Sequence, residues 1–470
     1  MVFSSVAFLY FFLPVFLLLY WVLPLRNVVL LTASLFFYAW GEFEYVLLLV
    51  GSIALNYSFG IAIAKASPPA SRWLLGLGIS SNVLLLGAFK YANFIVDSVA
   101  PWLGSDIRVE AIHLPIGISF YTFQAMSYLI DVYRKDAQAE RDPIVLATYI
   151  SMFPQLIAGP IVRFASIQHE LHRREVDAKK VEHGIRVFVL GLSQKVLIAN
   201  TLAVPVDAIF AIPPGQLTAP VAWLGMVTFP LQIYFDFAGY SNMAIGLGLM
   251  LGFHLPKNFD YPYISQSIRE MWRRWHISLS SWFRDYLYFP LGGNRKGALR
   301  TYLNLVTIFF ICGLWHGAAW TFVVWGLWNG LFLVVERAGL GAVLDRAWRP
   351  LRHTYTMLVW SAGMVIFRSD SLSYAFDYLL AIVGLGAGDG LSHHVGLYLR
   401  ANVVLVLAIA VLGSTPLFAA VGRWSAERAR SGASVALIRG SVVVGIGAML
   451  LFVGMSLAAG THNPFIYFRF

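Results

Sequence analysis

Residues 3–23, FSSVAFLYFFLPVFLLLYWVL, carry no charged side chain over a length sufficient to cross a bilayer. A transmembrane helix needs roughly 20 mostly apolar residues to traverse a hydrocarbon core about 30 Å thick. The segment is not patterned as a cleavable leader. It lacks a basic start, its apolar run is too long, and no small-residue cleavage site follows. It is expected to remain as the first span, and the rest of the chain must fold around it.

The same pattern recurs along the sequence. Apolar runs fall at 28–40, 44–64, 73–96, 113–131, 143–162, 183–204, 220–252, 301–314, 317–335, 354–367, 374–387, 402–421 and 435–459. Of all residues, 59% are hydrophobic and 12% charged, against about 25% charged in a soluble domain. A large water-facing surface is excluded. Membrane-spanning strands would alternate over segments of about ten residues; these runs do not, so helices are expected. Some runs are too short to cross alone, which suggests re-entrant or tilted pieces. The expected fold is all-α: a polytopic membrane helical bundle of about ten to twelve transmembrane helices, with re-entrant or interfacial amphipathic helices. It forms one integral-membrane domain over residues 1–470. No internal repeat of the transporter kind is visible.

The net charge of +10 is read as topology and attraction to anionic membrane lipids, since Lys and Arg collect in cytoplasmic loops. Nucleic acid is not an expected partner. The polar stretches 65–72, 134–142, 164–182 and 383–394 read as solvated connections. No basic residue precedes the first span and Arg26 follows it, which places the N-terminus outside. The single cysteine, Cys312, excludes an intramolecular disulfide framework and a multi-cysteine metal site.

The stretch 255–300 departs from this pattern. It holds eight Lys or Arg and three acids, yet is dense in Trp and Tyr, whereas flexible linkers are Gly/Ser-rich or charged rather than aromatic. Within the basic-aromatic segment 264–300, a helix is predicted over 267–286. At about 100° per residue, Trp272, Trp275, Leu279, Trp282 and Tyr286 share one arc, and Arg269, Arg273, Ser280 and Arg284 share another. Glu270, Arg274, Ser281 and Asp285 widen the second arc. Such a helix belongs at the membrane interface or in a protein cavity, aromatic side toward lipid or core. The arginines serve either topology and headgroups or the phosphates of a cofactor. His276 projects at the margin of the two arcs, as an interfacial histidine with a satisfied hydrogen bond or as a functional one. The following PLGGNRKG at 290–297 lacks the spacing and the terminal Lys-Ser/Thr of a phosphate-binding loop.

His316 lies in the segment 312–330, CGLWHGAAWTFVVWGLWNG. Gly313 and Gly317 are four apart, as are Gly326 and Gly330, a spacing that lets helices approach closely. The segment is therefore expected inside the bundle. An ionisable side chain within a span is expensive and is a functional candidate. Burial favours the neutral imidazole, which suits general-base work; the alternative is a polar side chain bonded to a neighbouring helix. Asp236, within YFDFAGYSN at 234–242, raises the same question and needs a partner. A metal site is not expected, because neither His276 nor His316 has a second ligand three or four residues away. His169 with His172, and His393 with His394, sit in polar loops. No Gly-x-Ser-x-Gly elbow is present and Cys312 is in an apolar run, so an acyl-enzyme on Ser or Cys is not indicated.

These motifs together resemble the membrane-bound O-acyltransferase family, and within it the bacterial alginate O-acetyltransferase branch. The matching stretches are FPQLIAGP at 153–160, YFDFAGYSNMAIG at 234–246, FDYPY at 259–263, WRRWHISLSSWFRDYLY at 272–288, PLGGNR at 290–295, GLWHG at 313–317, WTF at 320–322 and NPFIYF at 463–468. The likeness runs nearly end to end. It implies a helical bundle pierced by a central tunnel, with the family's invariant histidine at His316 and its second polar position at His276. It also implies transfer of an acetyl group from cytoplasmic acetyl-CoA, as donor substrate rather than resident cofactor. The implied acceptor is an extracytoplasmic polysaccharide, reached through periplasmic partner acetyltransferases, and the implied location is the bacterial cytoplasmic membrane. A thioester is already activated, so alignment and deprotonation of the hydroxyl are the main tasks. His316 is then the expected general base and His276 its companion. Asp236, Arg284 and Asp285 are expected to hold these groups, and Arg269 and Arg273 to join Arg284 in binding the donor. Relatives that acetylate peptidoglycan or cellulose, and those that transfer D-alanine to teichoic acid, are the alternatives within the family. A transporter or lipid flippase with a His and Asp proton relay is the alternative outside it.

Overall fold

The computed structural model describes residues 1–104, 110, 112–386, 388–430 and 435–460. The motif at 463–468 lies outside them. Among the described residues every regular element is a helix. Exposed leucines, phenylalanines and tryptophans such as Phe11, Leu18, Trp73, Leu84, Leu303, Leu331, Leu405 and Leu451 are spread along these helices. Lipid is the solvent that accepts such a surface, and the chain is a multi-pass membrane protein.

Among the described residues seven helices are long and apolar enough to cross, or eight if Ala401–Gly413 and Leu417–Ser425, bent by 67°, form one span. This is fewer than the ten to twelve expected from the apolar runs. The runs 28–40 and 44–64 fold as two helices, Arg26–Glu42 and Val46–Lys65, parted at Glu42 (φ −140°, ψ 52°) and the short turn Phe43–Tyr45, yet they enter that count as one 40-residue segment. Conversely the runs 113–131 and 143–162 fold as Ile118–Arg134, Pro143–Ser151 and Phe153–Leu156, each shorter than a perpendicular crossing. Counting apolar runs does not distinguish these cases.

The chain groups into two compact units, residues 1–188 with 243–256, and residues 189–242 with 257–470. In the first unit, Phe153 is ringed by Phe12, Phe16 and Phe37 at centroid separations of 5.4, 5.1 and 5.3 Å. Helices Val46–Lys65 and Pro68–Leu86 are joined by reciprocal amide bonds between Asn56 and Asn82, at 3.2 and 2.8 Å. Buried amides need such pairing, because an unmet one costs roughly 1–3 kcal/mol. Tyr20 donates to the Leu251 carbonyl at 2.7 Å, and Arg174 stacks on Phe253 at 4.7 Å while donating to Asn27.

The second unit carries the two histidine motifs. Its helix Ala298–His316 packs along Trp320–Val335, and Gly313 and Gly326, one from each glycine pair, meet there. A Cβ on Gly313 would lie 2.4 Å from the Phe322 carbonyl oxygen, and one on Gly326 2.2 Å from that of Phe309. Only hydrogen fits at these positions. The small-residue spacing in the sequence therefore marks the contact between two successive helices, and it fixes the helix that ends in His316.

The helix predicted over 267–286 is not continuous. It runs as Ile268–Arg274, breaks at Trp275 and His276, and resumes as Ile277–Phe283. His276 has φ 44° and ψ 56°, a left-handed conformation that a side chain adopts only when its surroundings over-determine it. The surroundings are two backbone bonds to an extended stretch: Ile277 N–H donates to the Asn258 carbonyl and Asp260 N–H to that of Arg274, both at 2.9 Å. Ser267 caps the first piece through Glu270 N–H at 3.0 Å. The Glu336 carboxylate accepts from the free N–H groups of Ile268 and Arg269 at 2.6 and 3.0 Å, a favourable place for negative charge. The aromatic arc survives the break: Trp272, Trp275, Leu279, Trp282 and Tyr286 are all buried, so it faces protein rather than lipid.

Candidate active site

His316 is the last residue of its helix and is 6% exposed. Its Nδ1 lies 2.7 Å from the Cys312 carbonyl oxygen, one turn back. A carbonyl only accepts, so Nδ1 carries a hydrogen, and in the neutral ring the lone pair is then on Nε2. Trp315, Trp325 and Phe367 enclose the ring edge-to-face at 4.9, 4.7 and 5.7 Å. The imidazole is thus oriented by its own helix and sheltered by aromatic walls.

His276 is fully buried. Its Nδ1 is 3.0 Å from Asn258 Oδ1, and Phe237 meets its ring at 4.6 Å, perpendicular. Asn258 Oδ1 also accepts from the Ser278 hydroxyl at 2.9 Å and the Ser278 backbone N–H at 3.3 Å. A backbone N–H can only donate, so the atom it faces is the amide oxygen. The other end of the amide, Nδ2, donates to the Ser241 hydroxyl at 3.0 Å. His276 therefore holds its hydrogen on Nδ1, and its Nε2 is buried with no hydrogen-bonding partner among the described residues. A buried lone pair without a donor is a place for something not yet bound. Burial, and secondly the nearby charge of His316, push the His276 imidazole well below its ordinary value. It is neutral at neutral pH.

A tryptophan chain links the two histidine-bearing pieces. Trp272 donates to Asn329 at 3.1 Å and lies 5.9 Å from Trp325, which in turn packs on His316. Trp315 is in ring contact with both imidazoles, at 6.0 Å from His276. Both imidazoles have Nδ1 engaged, by Asn258 Oδ1 in His276 and by the Cys312 carbonyl in His316.

The remaining candidates fall elsewhere. Asp236 is buried in an ion pair with Lys195 at 2.6 Å, and Lys195 also donates to Asn200 at 2.9 Å. Arg284 pairs with its neighbour Asp285 at 2.7 Å, and that bond raises its pKa further above the usual guanidinium value. Arg269 and Arg273 are exposed. Asn258 and Lys195 had not been singled out in the sequence. Asn258 directly precedes the FDYPY stretch, and Lys195 is a cation inside the apolar run 183–204, a signal of the partner that Asp236 needed.

Comparison with known proteins adds to this geometry. The sequence model described as "MBOAT, membrane-bound O-acyltransferase family" matches residues 133–369, a span that includes both histidines. The chain is 42% identical over 489 residues to the probable alginate O-acetylase AlgI of Pseudomonas putida, covering all of both chains. It is 37% identical over 437 residues to the peptidoglycan O-acetyltransferase of Helicobacter pylori, covering 84% of this chain and 81% of that one. Against the teichoic acid D-alanyltransferase of Bacillus subtilis the identity is 27%, over 52% of this chain and 67% of the other. With both histidines in a buried aromatic site within the matched region, the chain belongs to the membrane-bound O-acyltransferase family and is an O-acyltransferase.

Proposed function

We propose that this protein moves acetyl groups from cytoplasmic acetyl-CoA to hydroxyls of an extracytoplasmic polysaccharide, alginate first, with periplasmic acetyltransferases completing delivery. The observation that carries the chemistry is the pair of buried imidazoles whose Nδ1 atoms are engaged. The reading of alginate rests on the full-length similarity to the Pseudomonas putida protein. A tunnel through the bundle, open to the donor from one side and the acceptor from the other, is part of this proposal, as is residence in the inner membrane.

In the reaction, the acceptor hydroxyl oxygen attacks the thioester carbonyl carbon. His316 Nε2 takes the hydroxyl proton as the new C–O bond forms. The C–S bond then breaks, and the proton passes from His316 to the departing thiolate, giving the ester and free thiol. His276 Nε2 supplies a second lone pair, which accepts a hydrogen bond from another hydroxyl of the acceptor and holds the acceptor in line. General-base help of this kind contributes about 10²–10⁴-fold in rate.

The test is acetyl transfer by purified protein with acetyl-CoA, read as thiol release, together with O-acetyl content of the polymer in cells. His316→Ala is expected to lose at least 10²-fold while remaining monodisperse in detergent. A folded variant with unchanged thiol release and polymer acetylation would rule out the assignment. Peptidoglycan as acceptor is a second reading, favoured by the 37% identical relative; acetylated muropeptides that disappear in the variant strain, with alginate unchanged, would select it.

A further inference from the structure

We propose that Asn258 is a positioning residue of this site, locking His276 as its Nδ1–H tautomer so that Nε2 is always the acceptor. The inference rests on the proposed acyl transfer and adds a residue to it. A neutral histidine free to choose would place its proton on either nitrogen, and on Nε2 it would be a donor and useless as a base. Here the choice is removed by a donor that cannot change, the Ser278 backbone N–H. The Ser278 N–H and hydroxyl both point at Asn258 Oδ1, at 3.3 and 2.9 Å, which forces the amide oxygen toward the ring. The Ser241 hydroxyl accepts from the amide nitrogen at 3.0 Å and so satisfies the opposite end. All three residues are buried, so water does not compete.

The backbone serves the same end. The bond from Ile277 N–H to the Asn258 carbonyl, at 2.9 Å, ties the amide-bearing residue to the break that gives His276 its left-handed backbone. Asn258 therefore sets the ring's tautomer by its side chain and the ring's place by its main chain. Partners that orient a functional histidine in this way are typically worth about 10–100-fold when removed, by analogy with outer-shell ligands of metal sites.

The experiment uses the full chain in lipid nanodiscs, labelled with 15N-histidine. The His276 signals are assigned by their loss in His276→Gln. Wild type should show a neutral ring protonated on Nδ1. In Asn258→Leu that signature should give way to a tautomer mixture, with kcat down about 10–100-fold and KM for acetyl-CoA little changed. Asn258→Asp restores an acceptor, so it should recover the tautomer and most of kcat. The new carboxylate should also raise the pH at which turnover falls on the acid side, with His316 as the titratable neighbour common to all variants. Ser241→Ala loosens the amide without touching the ring and should give a smaller loss of the same kind. If Asn258→Leu does not fold, the Asp and Ser241→Ala variants decide alone. An unchanged His276 tautomer in Asn258→Leu, or equal losses in the Leu and Asp variants, overturns the proposal; so does an unshifted acid limb in Asn258→Asp. Wild-type protein that transfers no acetyl group would refute the reaction instead, and the nitrogen signals would still report on Asn258.

Discussion

Replacing Gly326 with alanine puts a methyl group where the helix Trp320–Val335 touches the helix that ends in His316. The added carbon would sit 2.2 Å from the Phe309 carbonyl oxygen and 3.0 Å from Gly313 Cα. Both are backbone atoms, so no rotamer change relieves the clash. Ordinary contact begins near 3.4 Å, so the two helices must part by about 1 Å. Overpacking of this size typically costs about 1–3 kcal/mol. The kinetic effect should be larger than the stability effect, because a displacement of about 1 Å at a reacting group is enough to lose ~10²-fold. The assay is thermal unfolding in detergent beside initial rates of acetyl transfer at saturating donor. Gly330→Ala is the control on the same helix: its Cβ would meet Phe309 Cβ at 3.1 Å and nothing else nearer than 3.6 Å, so a shift of a few tenths of an ångström absorbs it. If Gly326→Ala melts and turns over like wild type, the close helix contact does not set the position of His316. If Gly330→Ala is the more damaging change, the reasoning from backbone clash is wrong.

Breaking the buried pair on one side, as Lys195→Met or Asp236→Leu, should cost about 3–5 kcal/mol because a lone charge stays behind. The double variant should regain much of this, as read by melting temperature. Protonation of His276 gives a pH dependence whose sign follows from its burial. Folded, the ring stays neutral; unfolded, it takes a proton near pH 6.5. Its contribution is therefore complete above that pH and is lost as the pH falls below it, by up to about 1.4 kcal/mol per unit. Melting from pH 7.5 to 5.5 should show the slope, and His276→Gln should reduce it.

The class of the molecule was readable from the first span onward, because apolar length is a local property and the bilayer sets its threshold. The histidine motifs and the glycine spacing were readable for the same reason: each sits within one turn or two of helix. The continuous helix over 267–286 was not what forms, even though its aromatic arc is correctly buried. Periodicity records which side chains seek the interior, and it is indifferent to a break that preserves their burial. The left-handed turn at His276 comes from bonds to residues 258 and 260, which no local pattern announces. Lys195 and Asp236 likewise each needed a partner, and only packing brought them to 2.6 Å. The sequence alone determined a membrane-embedded helical acyltransferase with two histidines of interest. Tertiary structure decided which nitrogen of each ring carries the proton, because a tautomer is set by the nearest fixed donor or acceptor, and for His276 that group arrives from another part of the chain.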